Sequence, residues 1–185
     1  MNNNKPILLD LQKIAERARE LTAQDGYHAP TLIVEGKSGR AIIGANGFSA
    51  EDKHKQLYRL GEQIAAEENM GRLERVVLVS EAWVSIAESP NGNPSVEEVE
   101  QTMDCLPSQD PDRVEVLTVA SFSPPSGKST VMIYEMKRDI NNNLTDVEAW
   151  GENKDTSAMN AQSPLLESFA AGFENEYWEQ VAKLN

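Results

Sequence analysis

The chain has little of the side-chain chemistry from which catalytic and metal sites are commonly built. Its 185 residues include one cysteine, Cys105, and two histidines, His28 and His54. A lone cysteine excludes an intramolecular disulfide and fits a reducing compartment, so a cytoplasmic location is expected. Neither a His-x-x-x-His nor a Cys-x-x-Cys spacing occurs. The sequence therefore predicts no metal site and no cofactor.

Long apolar runs and positive charge are also scarce. No run approaches the roughly 20 apolar residues of a membrane-spanning helix, so no membrane association is expected. Lys and Arg number 17 against 30 Asp and Glu, a formal net charge of −13. Surfaces that follow nucleic-acid phosphates concentrate Lys and Arg, and we therefore expect no nucleic-acid partner. The acidity leaves open a basic protein partner or, as a weaker hypothesis, mimicry of a nucleic acid.

Two local patterns resemble catalytic or nucleotide-binding motifs only in part. Ser126-Gly-Lys-Ser129 matches the end of a phosphate-binding loop, but Phe122 stands where that motif needs its first glycine. A strand-like run follows it instead of a helix, so no helix N-terminus can receive a phosphate. No serine lies in a Gly-x-Ser-x-Gly elbow. We therefore assign no catalytic residue from motifs.

What the chain does contain is a series of amphipathic segments. Helical periodicity predicts helices over about 6–25, 50–71 and 163–184, and β-type patterns predict strands near 31–35, 40–45, 75–86, 113–121, 130–137 and 146–150. An insertion at 88–112 combines loop signals with one short helix. The element order αββαβ(α)βββα predicts one α+β domain over 1–185. We expect a mainly antiparallel sheet of about six strands, covered by the N- and C-terminal helices.

The longest β-like run, 75–86, carries Glu81 at its centre. Because side chains alternate along a strand, Glu81 shares a face with Trp83. Antiparallel pairing with 113–121 places Glu81 opposite Leu117. Continuing this register across the next two turns places Tyr134 and Trp150 in the same row.

This register divides the side chains of the sheet into two faces. One is aliphatic and suits a core covered by helices. The other mixes aromatic, methionine and carboxylate side chains, which is typical of a partner-binding surface. We call it the aromatic–acidic face and define it by Glu81, Trp83, Glu115, Met132, Tyr134, Glu148 and Trp150. An alternative is that the C-terminal helix half covers this face, and a one-residue slip would reverse the contribution of one strand.

Three functional hypotheses follow. The first is a non-enzymatic binding or interaction protein, a homo-oligomer or a binder of another protein, that uses the aromatic–acidic face. The second is a small hydrolase with Glu81 as general acid or base, although the sequence shows no second catalytic group. The third is the acidic nucleic-acid mimic.

Overall fold

A computed structural model of the chain describes residues 8–45, 47, 52–67, 69–85, 95, 97, 109–150, 159–160 and 163–184. The α-helices in these ranges are α1 (Leu11–Asp25), α2 (Lys53–Glu67) and α3 (Pro164–Lys183). The strands are β1 (Thr31–Gly36), β2 (Arg40–Gly44), β3 (Leu73–Val84), β4 (Val114–Ser123), β5 (Lys128–Arg138), β6 (Leu144–Ala149) and β7 (Met159–Asn160). The predicted α+β class is confirmed. Most of the region of the helix predicted within 88–112 falls outside the described residues, which include only 95, 97 and 109–112 there.

The strands form one antiparallel sheet in the order β2-β1-β3-β4-β5-β6, and β7 pairs with β5. Strands β3 to β6 follow one another as a meander, while the β1–β2 hairpin lies along the other side of β3. The predicted register of the first pair is confirmed, because Glu81 lies opposite Leu117. Among the described strands, β2 and β6 are therefore the ends of the six-strand order.

The helix boundaries differ from the prediction at two places. Helix α1 begins at Leu11 instead of Pro6, since the Asp10 carboxylate accepts the Gln12 N–H at 2.9 Å and acts as the N-cap. The predicted end of α1 is confirmed, with Gly26 in the left-handed region at φ 78°. Helix α2 spans Lys53–Glu67 and so ends four residues before Gly71, the predicted stop.

Helices cover both faces of the sheet and produce two cores. Helices α2 and α3 cover the aliphatic face, with Leu32, Val34, Val76, Leu166, Phe169 and Phe173 buried between the layers. Helix α1 covers the other face, where it buries Val77, Val79, Leu117, Val119, Met132 and Tyr134. The N-terminal helix, and not the C-terminal one, therefore packs on the aromatic–acidic face.

Helices α2 and α3 approach each other closely through two glycines. A Cβ at Gly61 would overlap the Phe169 carbonyl, and a Cβ at Gly172 would overlap the Tyr58 carbonyl. Each glycine thus lies against the backbone of the opposite helix. The contact depends on the absence of a side chain at both positions.

The predicted row that joined Tyr134 to Trp150 was wrong by one residue. A β-bulge at Lys137 and Arg138 shifts the pairing of β5 with β6, and Tyr134 lies opposite Ala149. The length of the turn alone does not determine this shift, which reverses the faces assigned to β6. Val147 consequently enters the core under α1, whereas Glu148 lies on the opposite face.

Candidate functional site

Two members of the aromatic–acidic face belong to the core beneath α1. The Tyr134 side chain is 0% exposed, and Met132 is also buried. The guanidinium of Arg19 on α1 lies 5.0 Å from the centroid of the Tyr134 ring. The same guanidinium donates to the Val147 carbonyl at 2.6 and 3.0 Å. These contacts fix α1 over the ring, so neither Tyr134 nor Met132 is available to a partner.

The carboxylates of this face hold the loop that follows α1. Glu81 Oε1 accepts the backbone N–H of His28 at 2.5 Å. Glu115 accepts two hydrogen bonds from Arg138, at 2.5 and 2.8 Å, and Arg138 donates further to the Gly26 carbonyl at 3.2 Å. The hydrogen bond to Glu115, together with the negative charges of Glu115 and Glu81, raises the pKa of the Arg138 guanidinium. This cluster is an anchor for the end of α1.

The remaining members lie apart from that cluster or at its margin. Trp83 is 43% exposed, and the Arg113 guanidinium lies 4.6 Å from the centroid of its ring. Glu148 pairs with Lys137 at 2.7 Å on the opposite face of the sheet. Trp150 follows the last residue of β6 and is half-buried. The structure therefore does not bring the seven residues together on one surface.

A second anchor, not anticipated from the sequence, lies at the start of α1. Glu35 is 1% exposed and lies in one row of the sheet between Arg40 and Arg75. Arg75 donates to Glu35 Oε2 at 2.7 and 2.5 Å, while Arg40 and the Leu9 N–H bind Oε1 at 3.1 and 2.8 Å. Arg75 also donates to the Leu9 carbonyl. This network joins the residues before α1 to β1, β2 and β3.

Between these anchors, α1 leaves part of the sheet uncovered on the side of β1 and β2. The space forms a groove of about 370 Å³. Its walls and floor are mainly apolar and include Ile14, Leu21, Ile33, Ile42 and Val79. We call it the α1–β2 groove. It is the candidate functional site because it combines accessible apolar surface with a concave shape.

Ile42 is the most exposed large apolar residue of the groove. Its side chain is 69% exposed although it lies in strand β2. Its cross-strand neighbour Ile33 is buried on the same face. Sequence reasoning missed the groove because Ile42 follows the ordinary alternation of a half-buried strand. The sequence prediction did contain one indication of the groove, because it assigned no helix to cover β2.

The charge around the groove differs from that of the whole chain. Residues 36–50 contain Lys37 and Arg40 and no Asp or Glu, although the net charge of the chain is −13. Lys13 and Arg17 lie one helical turn apart on α1 and border the groove. Arg17 pairs with Glu20 at 2.9 Å, whereas Lys13 forms no ion pair with any described residue. The groove lining thus contains two cations, Lys13 and Arg17, and one carboxylate, Asp10, which caps α1.

Two groups of described side chains are candidates for acid–base catalysis. Glu81 borders a cleft of about 300 Å³ together with Lys53 and Ser80. His54 Nδ1 lies 2.8 Å from Ser168 Oγ on the surface. Ser168 donates its hydroxyl proton to the Pro164 carbonyl at 2.9 Å, which leaves His54 as the donor to Ser168. That direction is the reverse of nucleophile activation by a histidine base.

Within the described ranges, no group of three or more His, Cys, Asp or Glu side chains is placed to hold a metal ion. Cys105 lies outside those ranges. No helix of the described part is both long and apolar enough to cross a bilayer.

Comparison of the chain with protein-family models, curated proteins and solved structures finds no match.

Proposed function

We propose that the protein is a non-enzymatic interaction domain that receives apolar side chains of a binding partner in the α1–β2 groove. The observation that carries the proposal is the 69% exposure of Ile42 beside an open apolar groove. Exposed apolar surface that is continuous with a concave site is typical of interaction surfaces. A single exposed apolar residue, by contrast, needs no explanation.

The energetic gain on binding comes from removing this surface from water. Burying a complete isoleucine side chain contributes about 1.5–3 kcal/mol. Ile42 retains most of its surface for such a contact, while Ile33 and Val79 provide a floor that is already packed. Because the walls belong to α1 and the sheet, binding requires little ordering of the protein.

The proposal keeps the predicted class of function and changes the surface. The aromatic–acidic face supports interaction less well, since Tyr134 and Met132 are buried and Glu81 and Glu115 hold a loop. The predicted homo-oligomer stays a prediction.

The hydrolase hypothesis has less support. Glu81 Oε1 is engaged by the His28 N–H, and the serine of the His54–Ser168 pair donates to a backbone carbonyl. The nucleic-acid mimic also has less support. Several carboxylates that would supply its charge are paired with Arg or Lys, among them Glu35, Glu115 and Glu148.

The test uses the apolar dye 8-anilinonaphthalene-1-sulfonate and two aspartate substitutions. Ile42→Asp introduces charge and polarity at the groove. Ile140→Asp is the matched control, because Ile140 is 100% exposed in the β5–β6 turn. We expect the dye affinity to fall at least about fivefold in Ile42→Asp, from the loss of about 1 kcal/mol of apolar contact, and to be unchanged in Ile140→Asp.

Far-ultraviolet circular dichroism establishes that both variants are folded. NMR chemical-shift changes upon dye addition then locate the bound dye, and we expect them at α1, β1 and β2. Equal dye binding by all three proteins, or shift changes confined to another surface, would overturn the proposal.

A further inference from the structure

Strand β2 lies beside the groove at one end of the sheet formed by the described strands. It pairs with β1 on one side, and no other described strand pairs with its outer side. Ala45 N–H donates to the Pro30 carbonyl at 2.7 Å, which fixes the phase of hydrogen bonding between the two strands. Because bonded pairs alternate in an antiparallel ladder, the N–H and C=O of Ile42 point away from β1. The outward backbone groups and the exposed side chain thus belong to the same residue.

The burial pattern along β2 supports this phase. Arg40, Ile42 and Gly44 are exposed, while the intervening Ala41 and Ile43 are half-buried. A strand added to this edge would place every second side chain on the α1 side of the sheet, beside Ile42 at the outer margin of the groove. The same segment would therefore pair with the edge and contact the exposed margin of the groove.

The other end of the six-strand order carries features that discourage strand addition. Strand β6 contains the exposed Asp146 and Glu148, and a β-bulge interrupts its pairing with β5. Charges and bulges are the usual protection of sheet edges. Strand β2 contains one charged residue, Arg40, which binds Glu35 of β1; it contains no proline, and its pairing with β1 has no bulge.

Charge indicates which kind of segment fits this edge. Lys13 and Arg17 border the groove, and Lys37 lies in the adjacent turn. An approaching segment with carboxylates would be attracted chiefly to Lys13, since Arg17 already pairs with Glu20 and Asp10 caps α1. A second copy of the chain brings its own net charge of −13, which opposes association of two copies. The cations at the groove favour an acidic segment, and the net charge of −13 opposes a second copy more strongly than a short segment with few charges.

We propose that β2 binds an extended peptide segment of a partner protein as an additional antiparallel strand. Every second residue of the segment is apolar and contacts the groove beside Ile42. Its backbone N–H and C=O groups bond to those of β2. It carries Asp or Glu within reach of Lys13. Its paired part matches the five residues of β2. This inference rests on the proposed function and names the chemistry of its partner.

The probe is a random 12-residue peptide library displayed on phage and selected on the full-length protein. Ile42→Asp serves for counter-selection, so that peptides bound elsewhere are removed. We expect enrichment of sequences in which apolar residues occur at every second position and acidic residues flank them. No enrichment, enrichment of basic peptides, or apolar spacing of three and four residues would overturn the inference.

An enriched peptide is then synthesised with N-methyl groups at alternate amides. Methylation of the amides that face β2 should weaken binding at least tenfold, whereas methylation of the intervening amides should change it less than about threefold. Lys13→Glu should weaken binding about tenfold, and Lys183→Glu, a distant exposed charge on α3, should not. Equal effects of the two methylation patterns would exclude strand addition.

These outcomes separate the inference from the proposed function. Ile42-dependent dye binding without strand-like peptide recognition would leave the interaction function in place and reject the added strand. Absence of both would reject both. An Ile42-dependent dimer in light scattering that the selected peptide does not dissociate would assign the edge to a second copy and overturn the inference.

Discussion

At the scale of single residues, two glutamates in apolar strands have the same role at opposite ends of α1. Glu35 holds the residues before the helix, and Glu81 holds the loop after it. The alternation of β1 and the adjacent turn place Glu35 opposite Arg40, so this pair could have been derived from the sequence. The partner of Glu81 could not, because a backbone N–H carries no residue-specific signal.

Removal of the Glu35 carboxylate should be strongly destabilising. Glu35→Ala leaves the guanidinium of Arg75 without its carboxylate in a site where the Arg75 side chain is only 13% exposed. We expect the free energy of unfolding to fall by about 3–5 kcal/mol, as for other broken buried ion pairs. Urea denaturation followed by circular dichroism measures the change.

Glu148→Ala is the control for this substitution. Glu148 also pairs across strands, with Lys137, but both side chains are largely accessible to solvent. Its loss should change the free energy of unfolding by no more than about 1 kcal/mol. Similar losses in the two variants would show that burial does not determine the contribution of the Glu35 network.

At the scale of elements, periodicity predicted the helices and strands but not how they meet. Each helix has an apolar side, but the spacing of its apolar residues does not indicate on which face of the sheet the helix packs. Helix α1 therefore covers Tyr134, where the sequence left an open surface or coverage by the last helix. The bulge at Lys137 likewise cannot be predicted from the length of the adjacent turn. Strand β7 has only two residues, too few to show a periodicity.

The α2–α3 contact makes a prediction at this scale. Alanine in place of glycine usually stabilises a helix by about 0.5–1 kcal/mol. At Gly172 the added methyl group would overlap the Tyr58 carbonyl, so the helices must separate. We expect Gly172→Ala to lower the free energy of unfolding by about 1–3 kcal/mol in urea denaturation.

Ala171→Val is the matched control, since Ala171 is the exposed neighbour of Gly172 in α3. The β-branched side chain reduces helix propensity by about 0.5 kcal/mol and meets no opposite helix. A loss for Gly172→Ala no larger than that of the control would refute the close contact of the two helices.

At the scale of the whole molecule, the sheet separates two cores that are covered by different numbers of described helices. Helices α2 and α3 pack on one face and on each other. Helix α1 is the only described helix on the other face, and four of its residues are buried, Ile14, Ala15, Ala18 and Thr22. The fold class was predictable because it follows from element order. The asymmetry was not, because it depends on the assignment of each helix to a face.

Native-state hydrogen exchange tests this asymmetry. Elements with less buried apolar contact open at lower free energy. We expect the amides in the middle of α1 to exchange at least about tenfold faster than those in the middle of α3, and α1 to open first as urea is raised. Identical opening free energies would show that both cores unfold as one unit.

The position of α1 as one wall of the groove links this local opening to recognition. The wall of the groove would belong to the least stable cooperative unit of the fold, while its floor belongs to the sheet. A partner that contacts both would hold α1 against the sheet, and its binding free energy would be measurable as slower exchange in that helix alone. Binding in the groove would thus raise the free energy of local opening of α1, even if no atom of the sheet moves.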